Sequence, residues 1–208
     1  MAAGTGERMN SDTPKQFIEI NGLPIIIHTY NLFKEINNLD IYIVLPNSNF
    51  EKWKKFISKY IDEDTVLVRG GEQRNISVRN GINEITSTDG LVGIHDGVRP
   101  FITKILVNKL FAEAGKNGNA IPFTTTINSM RKVEGNKNFS VDRSKYVQIQ
   151  TPQIFETKLI KKCLNSIKEN NYTDEASLIE KFALDINLVM GEEENIKITT
   201  KKDLNYFN

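Results

Sequence analysis

The chain has 208 residues, 39% of them hydrophobic and 25% charged, and its formal net charge is +1. Such a composition can bury a substantial core and excludes both a disordered chain and a globally basic nucleic-acid binder. No apolar run approaches the ~18 residues of a membrane span and no secretory pattern opens the chain, so neither a membrane nor nucleic acid is an expected partner.

A glycine-broken turn, MAAGTGERM, comes first, with Pro14 and Lys15 shortly after it. Helices are predicted over residues 24–36, 48–60 and 74–85, and they alternate with strands over 41–45, 66–68 and 91–95. A helix over 104–114 and a strand over 120–123 continue the pattern. Residues 127–150, INSMRKVEGNKNFSVDRSKYVQIQ, break the rhythm: they have period-2 character on both sides of a polar EGNKN turn and end in a strand over 147–150. That pattern reads as a protruding β-hairpin. Its exposed edges and apolar side chains are expected to be covered by a second copy of the chain, or by its own sheet if the excursion folds back. Helices over 158–169 and 174–182 follow, then strands over 186–189 and 196–199. Cys163, the only cysteine, is expected as a half-buried residue of the first of these helices, which suits a reducing cytoplasm. The alternation predicts one α/β domain over 1–208, Rossmann-like, with a mainly parallel sheet between two helical layers and the hairpin as an arm.

Five loops carry candidate chemistry. Gly4 and Gly6 allow close backbone approach to a ligand, and successive backbone N–H groups there can cradle an anion. Met9 stands where a dinucleotide fingerprint needs its third glycine, which disfavours a nicotinamide-type reading. Arg8 and Lys15 supply cations beside the loop, although either alone would serve as a solvated surface charge. In RGGEQRNISVRNG, Gly71 and Ser77 flank a predicted helix start, where free N–H groups could meet an anion or a base edge; a capped glycine turn is the plainer reading. In GIHDGVRPF an apolar strand ends in His95 and Asp96, at the strand end where ligands gather in open α/β sheets. Asp96 beside bound phosphates would be a Mg²⁺ ligand, and Arg99 its counter-charge when no metal is bound. His95 reads as structural or as a ligand contact. Thr173 and Asp174 in YTDEAS read as an N-cap pair, and Lys197 in ENIKIT points either into a pocket or into water.

These loops, in this order, resemble those of the 2-C-methyl-D-erythritol 4-phosphate cytidylyltransferases of non-mevalonate isoprenoid biosynthesis. The resemblance rests on AAGTGERM with PKQF, GGEQRNISVRNG, HDGVRPF, VDR, QTPQIF, TDEAS and ENIKITT, and it spans almost the whole chain. It implies a homodimeric nucleotidyltransferase that joins CTP to a sugar-alcohol phosphate and releases pyrophosphate. It further implies that Ala2, Ala3, Gly4 and Gly6 hold the CTP phosphates, with Arg8 and Lys15 on the α-phosphate. Gly71 and Ser77 would lie by cytosine and ribose, and Asp96 would bind nucleotide and Mg²⁺. Arg143, in the arm, would reach the acceptor in the other subunit's site. Thr173, Ser129 and Arg99 would contribute to acceptor binding, and Lys197 to the cationic cluster.

The sequence departs from the family pattern twice. Family members usually carry an apolar strand ahead of the glycine loop, where here Met1 directly precedes Ala2. A sheet lacking that strand is expected to hold a gap in its core and unpaired ladder groups, at a cost of several kcal/mol. At Asn128 and Ser129 the family more often shows an acidic residue and threonine; Ser129 keeps a hydroxyl. A ribitol-5-phosphate cytidylyltransferase, which shares the first three motifs, and a non-catalytic nucleotide-binding module are the alternatives. TDEAS and NIKIT fit the erythritol-phosphate family better.

Overall fold

The structure is a computed structural model that describes residues 1–4, 13–167 and 172–207. A short hairpin, β1 (Glu19–Ile20) and β2 (Leu23–Pro24), leads into α1 (Ile25–Lys34). Next come β3 (Tyr42–Leu45), α2 (Phe50–Ile57), β4 (Val66–Arg69), α3 (Arg74–Glu84), β5 (Leu91–Ile94), α4 (Lys104–Asn117) and β6 (Asn119–Thr125). The arm holds β7 (Arg131–Glu134), β8 (Lys137–Ser140) and β9 (Val147–Ile149). The chain then returns through β10 (Gln153–Glu156), α5 (Thr157–Ser166), α6 (Glu175–Glu180) and β11 (Leu188–Met190).

Alternation along the strands sets the layers. Ile121 and Phe155 face a core built with α3, α5 and α6, while their neighbours Ala120 and Ile154 face α4 on the other side. Ile43 and Leu45 of β3 pack with α1 and α2, where Phe17 stacks on Trp53 at 4.1 Å between ring centroids. Side chains two residues apart share a face of a strand, so these short apolar runs feed two cores at once. The α/β sandwich expected from the sequence is therefore present, with an arm of exposed strands.

The sheet is mixed rather than mainly parallel. β3 and β4 pair in parallel, as do β6 and β11. β10 runs antiparallel between β5 and β6, because the chain re-enters the sheet after the arm's excursion without a crossover helix. The predicted strand over 196–199 does not join a ladder; its backbone meets the 98 segment through the Ile198 N–H, which donates to the Val98 carbonyl at 2.9 Å. Cys163 lies fully in the core of α5, and burial pushes its thiol pKa up.

Among the described residues no ladder joins β3 to β5. A cleft of about 600 Å³ separates them, walled by Ile41, Ile43, Val78, Ile82, Val92 and Ile94. The first residues bridge its upper end: the Ala2 N–H donates to the Val44 carbonyl at 2.9 Å, and the Gly97 N–H donates to the Met1 carbonyl at 2.8 Å.

Candidate active site

The functional side chains gather where β3, β4 and β5 end. At the first loop, the buried Gln16 amide donates to the Ala2 carbonyl at 2.7 Å and to the Gly4 carbonyl at 2.8 Å. Gln16 is held inward by a short 3-10 turn, Lys15–Phe17, whose Phe17 is pinned on Trp53. Ala2, Ala3 and Gly4 are thus fixed in place; Gly6 and Arg8 lie outside the described residues.

The second loop presses against the first. A Cβ on Gly70 would sit 2.7 Å from the Ala3 Cβ and 2.8 Å from the Leu45 carbonyl oxygen, so only glycine fits there. The Gly71 N–H donates to the Ser77 hydroxyl at 2.9 Å, and that hydroxyl also bonds the Gln73 carbonyl at 3.0 Å. Ser77 is buried, and its oxygen closes the loop at the start of α3.

Asp96 stands just beyond β5 and anchors the cationic cluster. Lys197 Nζ lies 2.8 Å from its Oδ2, and Arg99 Nε lies 3.5 Å from the same oxygen. Burial alone would raise the Asp96 pKa; the Lys197, Arg74 and Arg99 charges overcome that and hold the carboxyl well below the usual range. Lys197 therefore turns toward Asp96 while keeping part of its side chain exposed. Lys15 Nζ donates to the Ile198 carbonyl at 2.9 Å, which brings the two lysines onto one short segment from opposite ends of the sequence. Arg99 turns inward as well, donating to the Asn195 carbonyl at 2.7 Å.

Neighbouring polar residues are internally matched. His95 uses both ring nitrogens, one with the Thr151 hydroxyl at 3.2 Å and one with the Arg99 carbonyl at 3.1 Å. Burial pushes its pKa down to about 3, so the ring is neutral at physiological pH. Asp174 caps α6 in a reciprocal box with Ser177, as its place in TDEAS led one to expect. Thr173, one residue earlier, is exposed, its hydroxyl 3.5 Å from that of Ser177.

Two predicted residues stay apart from this cluster. Ser129 and Arg143 are exposed on the arm, and Arg143 hydrogen-bonds the Ile127 carbonyl within it. The arm and its flank also expose Ile127, Val133, Phe139, Tyr146 and Val147, with Leu188 and Met190 on the edge strand β11.

Several organising residues escaped sequence reasoning. Gln16, Arg74, Gln150, Gln153, Glu175 and Asn195 all lie inside the recognised motifs, yet none had been given a role. All but Arg74 are buried polar groups, and the signal available for them was a polar residue held within an otherwise apolar or glycine-rich run. Asn195 is the clearest case: its amide bonds the Thr151 carbonyl at 3.0 Å, tying the segment of Lys197 to the start of β10.

Glycine turns and cations gathered at the strand ends of an α/β sheet are the arrangement in which such folds bind nucleotides. Residues 1–207 match the profile of the IspD family, 2-C-methyl-D-erythritol 4-phosphate cytidylyltransferase. A protein of that name from Bacteroides thetaiotaomicron is 36% identical over 98% of this chain and 94% of its own length. One from Porphyromonas gingivalis is 38% identical over 98% of this chain and 92% of its own. The crystal structure of the Francisella tularensis protein of that name superposes with a TM-score of 0.82 at 28% identity, covering 100% of this chain and 95% of its own. The chain belongs to the 2-C-methyl-D-erythritol 4-phosphate cytidylyltransferase family. It is accordingly a nucleotidyltransferase enzyme of the cytidylyltransferase class. Among the described residues no helix is long and apolar enough to cross a membrane.

Proposed function

We propose that the chain transfers a cytidylyl group from CTP to 2-C-methyl-D-erythritol 4-phosphate, giving CDP-methylerythritol and pyrophosphate, as a step of isoprenoid biosynthesis in the cytoplasm. The acceptor's phosphate oxygen forms a bond to the α-phosphorus of CTP, and the bond from that phosphorus to the bridging β-phosphate oxygen breaks. The nucleophile is already an anion, so no strong base is required. Holding two mutually repelling anions in line and neutralising their charge does most of the work.

The convergence of Lys15 and Lys197 beside Asp96, under the paired glycine loops, carries this reading. Ala3 and Gly4, with Gly6, supply backbone N–H groups for the triphosphate, and Ala2, whose N–H is taken by the Val44 carbonyl, anchors the loop beneath it. Lys15, with Arg8, draws charge from the α-phosphate, and Lys197 closes the cluster. Gly71 offers backbone to the cytosine and ribose, and Ser77 holds that loop in shape. Asp96 fits a divalent cation: Oδ2 takes both contacts with Lys197 and Arg99, which leaves the other carboxylate oxygen for Mg²⁺. When bound, Mg²⁺ would neutralise phosphate charge there. Thr173 offers its hydroxyl to the acceptor phosphate, and Arg99 supports that side by fixing Asp96 and the 195–197 segment.

Arg143 and Ser129 act from the arm on the partner's acceptor site in a homodimer. The exposed apolar side chains of the arm, continuous with edge strand β11, favour that assembly over a free arm. Incubating the protein with CTP, Mg²⁺ and either methylerythritol 4-phosphate or ribitol 5-phosphate, and following pyrophosphate, tests the assignment. Release with the first acceptor is expected. Release with ribitol phosphate alone would reassign the substrate, and release with neither would leave a nucleotide-binding module.

A further inference from the structure

The first residues of α3 and α6 are joined across the site by an ion pair whose carboxylate is buried and whose guanidinium is partly exposed. Arg74, which opens α3 directly after the glycine loop, donates from Nη1 to Glu175 Oε1 at 2.6 Å and from Nη2 to Oε2 at 2.7 Å. Glu175 opens α6, directly after Thr173 and Asp174, and it is fully buried. A carboxylate so enclosed is tolerated only when paired, and the two-pronged guanidinium geometry fixes orientation as well as distance. Burial works against the Arg74 charge, yet the bonds to Glu175 push its pKa up.

Each end of the pair is itself braced. On the α3 side, Ser77 ties Gly71 to Gln73, so the loop and the helix start move as one. On the α6 side, buried Gln153 of β10 donates to Asp174 Oδ2 at 2.7 Å and accepts from the Ala176 N–H at 2.9 Å. Asp174 in turn receives the Ser177 N–H at 3.0 Å. The turn carrying Thr173 is therefore held from β10 on one side and from the Gly70–Gly71 loop on the other.

We infer that Arg74 and Glu175 form a strap that sets the separation between the nucleotide-side loop and the acceptor-side turn, and so position the two substrates for reaction. The inference rests on the placement of CTP at Gly71 and of the acceptor phosphate at Thr173 given above. Neither strap residue touches a reacting atom; they are positioning residues.

The test pairs Arg74→Met with Glu175→Leu, because replacing both partners leaves no unpaired carboxylate at the buried Glu175 position. The double variant is expected to melt no lower than the parent and to bind CTP within about threefold, yet to lose ~10²-fold in turnover, as a misplacement of about an ångström does. Its KM for the acceptor should rise, and Arg74→Lys, which keeps the charge but not the fork, should resemble it. Hydrogen exchange without substrates gives a second readout: amides at 70–74 and 172–178 should exchange roughly tenfold faster in the double variant while β5 and β10 keep their rates. Parental turnover or unchanged exchange in a well-folded double variant would overturn the strap. A parent that releases no pyrophosphate with either acceptor would sink the functional reading instead, and exchange alone would then decide the strap.

Discussion

Replacing Gln16 with methionine keeps the side chain's length and removes its two hydrogen bonds. Those bonds, at 2.7 and 2.8 Å, are the recorded side-chain supports of the Ala2 and Gly4 carbonyls. A neutral hydrogen bond contributes about 1 kcal/mol net, so the pair accounts for about 2 kcal/mol. Ala2 is itself buried, and a carbonyl stranded there raises the loss toward ~3 kcal/mol. In a chain of this size that lowers Tm by roughly 4–12 °C. Because the same residue holds the phosphate loop closed, CTP affinity should fall as well, while acceptor binding changes little. Thermal denaturation followed by circular dichroism and CTP titration by calorimetry read the two effects separately. An unchanged Tm together with unchanged CTP affinity in Gln16→Met would refute the role given to this side chain.

Lys15→Ala should lower turnover by ~10²-fold or more in steady-state pyrophosphate release, as loss of a transition-state charge contact does; near-normal turnover would count against its assignment. Arg143→Ala should raise KM for the acceptor and spare CTP binding. Mixing that variant with Lys15→Ala should restore activity that neither has alone, since a mixed dimer regains one intact site; no recovery after subunit exchange would argue that Arg143 works within its own chain. His95 titrates near its ordinary value of 6.5 when unfolded but at about 3 when folded. Between those values the unfolded state holds the extra proton, so stability falls as pH drops through that window, by at most ~1.4 kcal/mol per pH unit from this group. Urea unfolding of the parent and of His95→Asn across pH 7 to 4 should show a shallower slope in the variant, and parallel slopes would contradict the shift.

Local signals made much of the architecture legible. Helical periodicity located the six α-helices among the described residues within a few residues of their ends, and the polar EGNKN break located the arm's hairpin, where Gly135 turns at φ +57°. Strand direction was not legible. β10 was read only as the motif QTPQIF, and its antiparallel seat between β5 and β6 depends on partners far away in sequence. The segment of Lys197 has a strand's composition, yet it runs beside Val98 and not in a ladder, which lets its lysine turn toward Asp96. Glycine and cation spacing marked the site's loops well, because close approach and charge are properties of single residues. The Arg74–Glu175 pair could not be read that way, since its members are 101 positions apart and each looks like an ordinary charge near a helix start.

Residues 1–4 lie between the ends of β3 and β5, with the Gly70–Gly71 turn on one side and Asp96 with Lys197 on the other. A nucleotide reaching from Gly71 to Lys197 would tie these three segments together, so saturating CTP is expected to raise Tm.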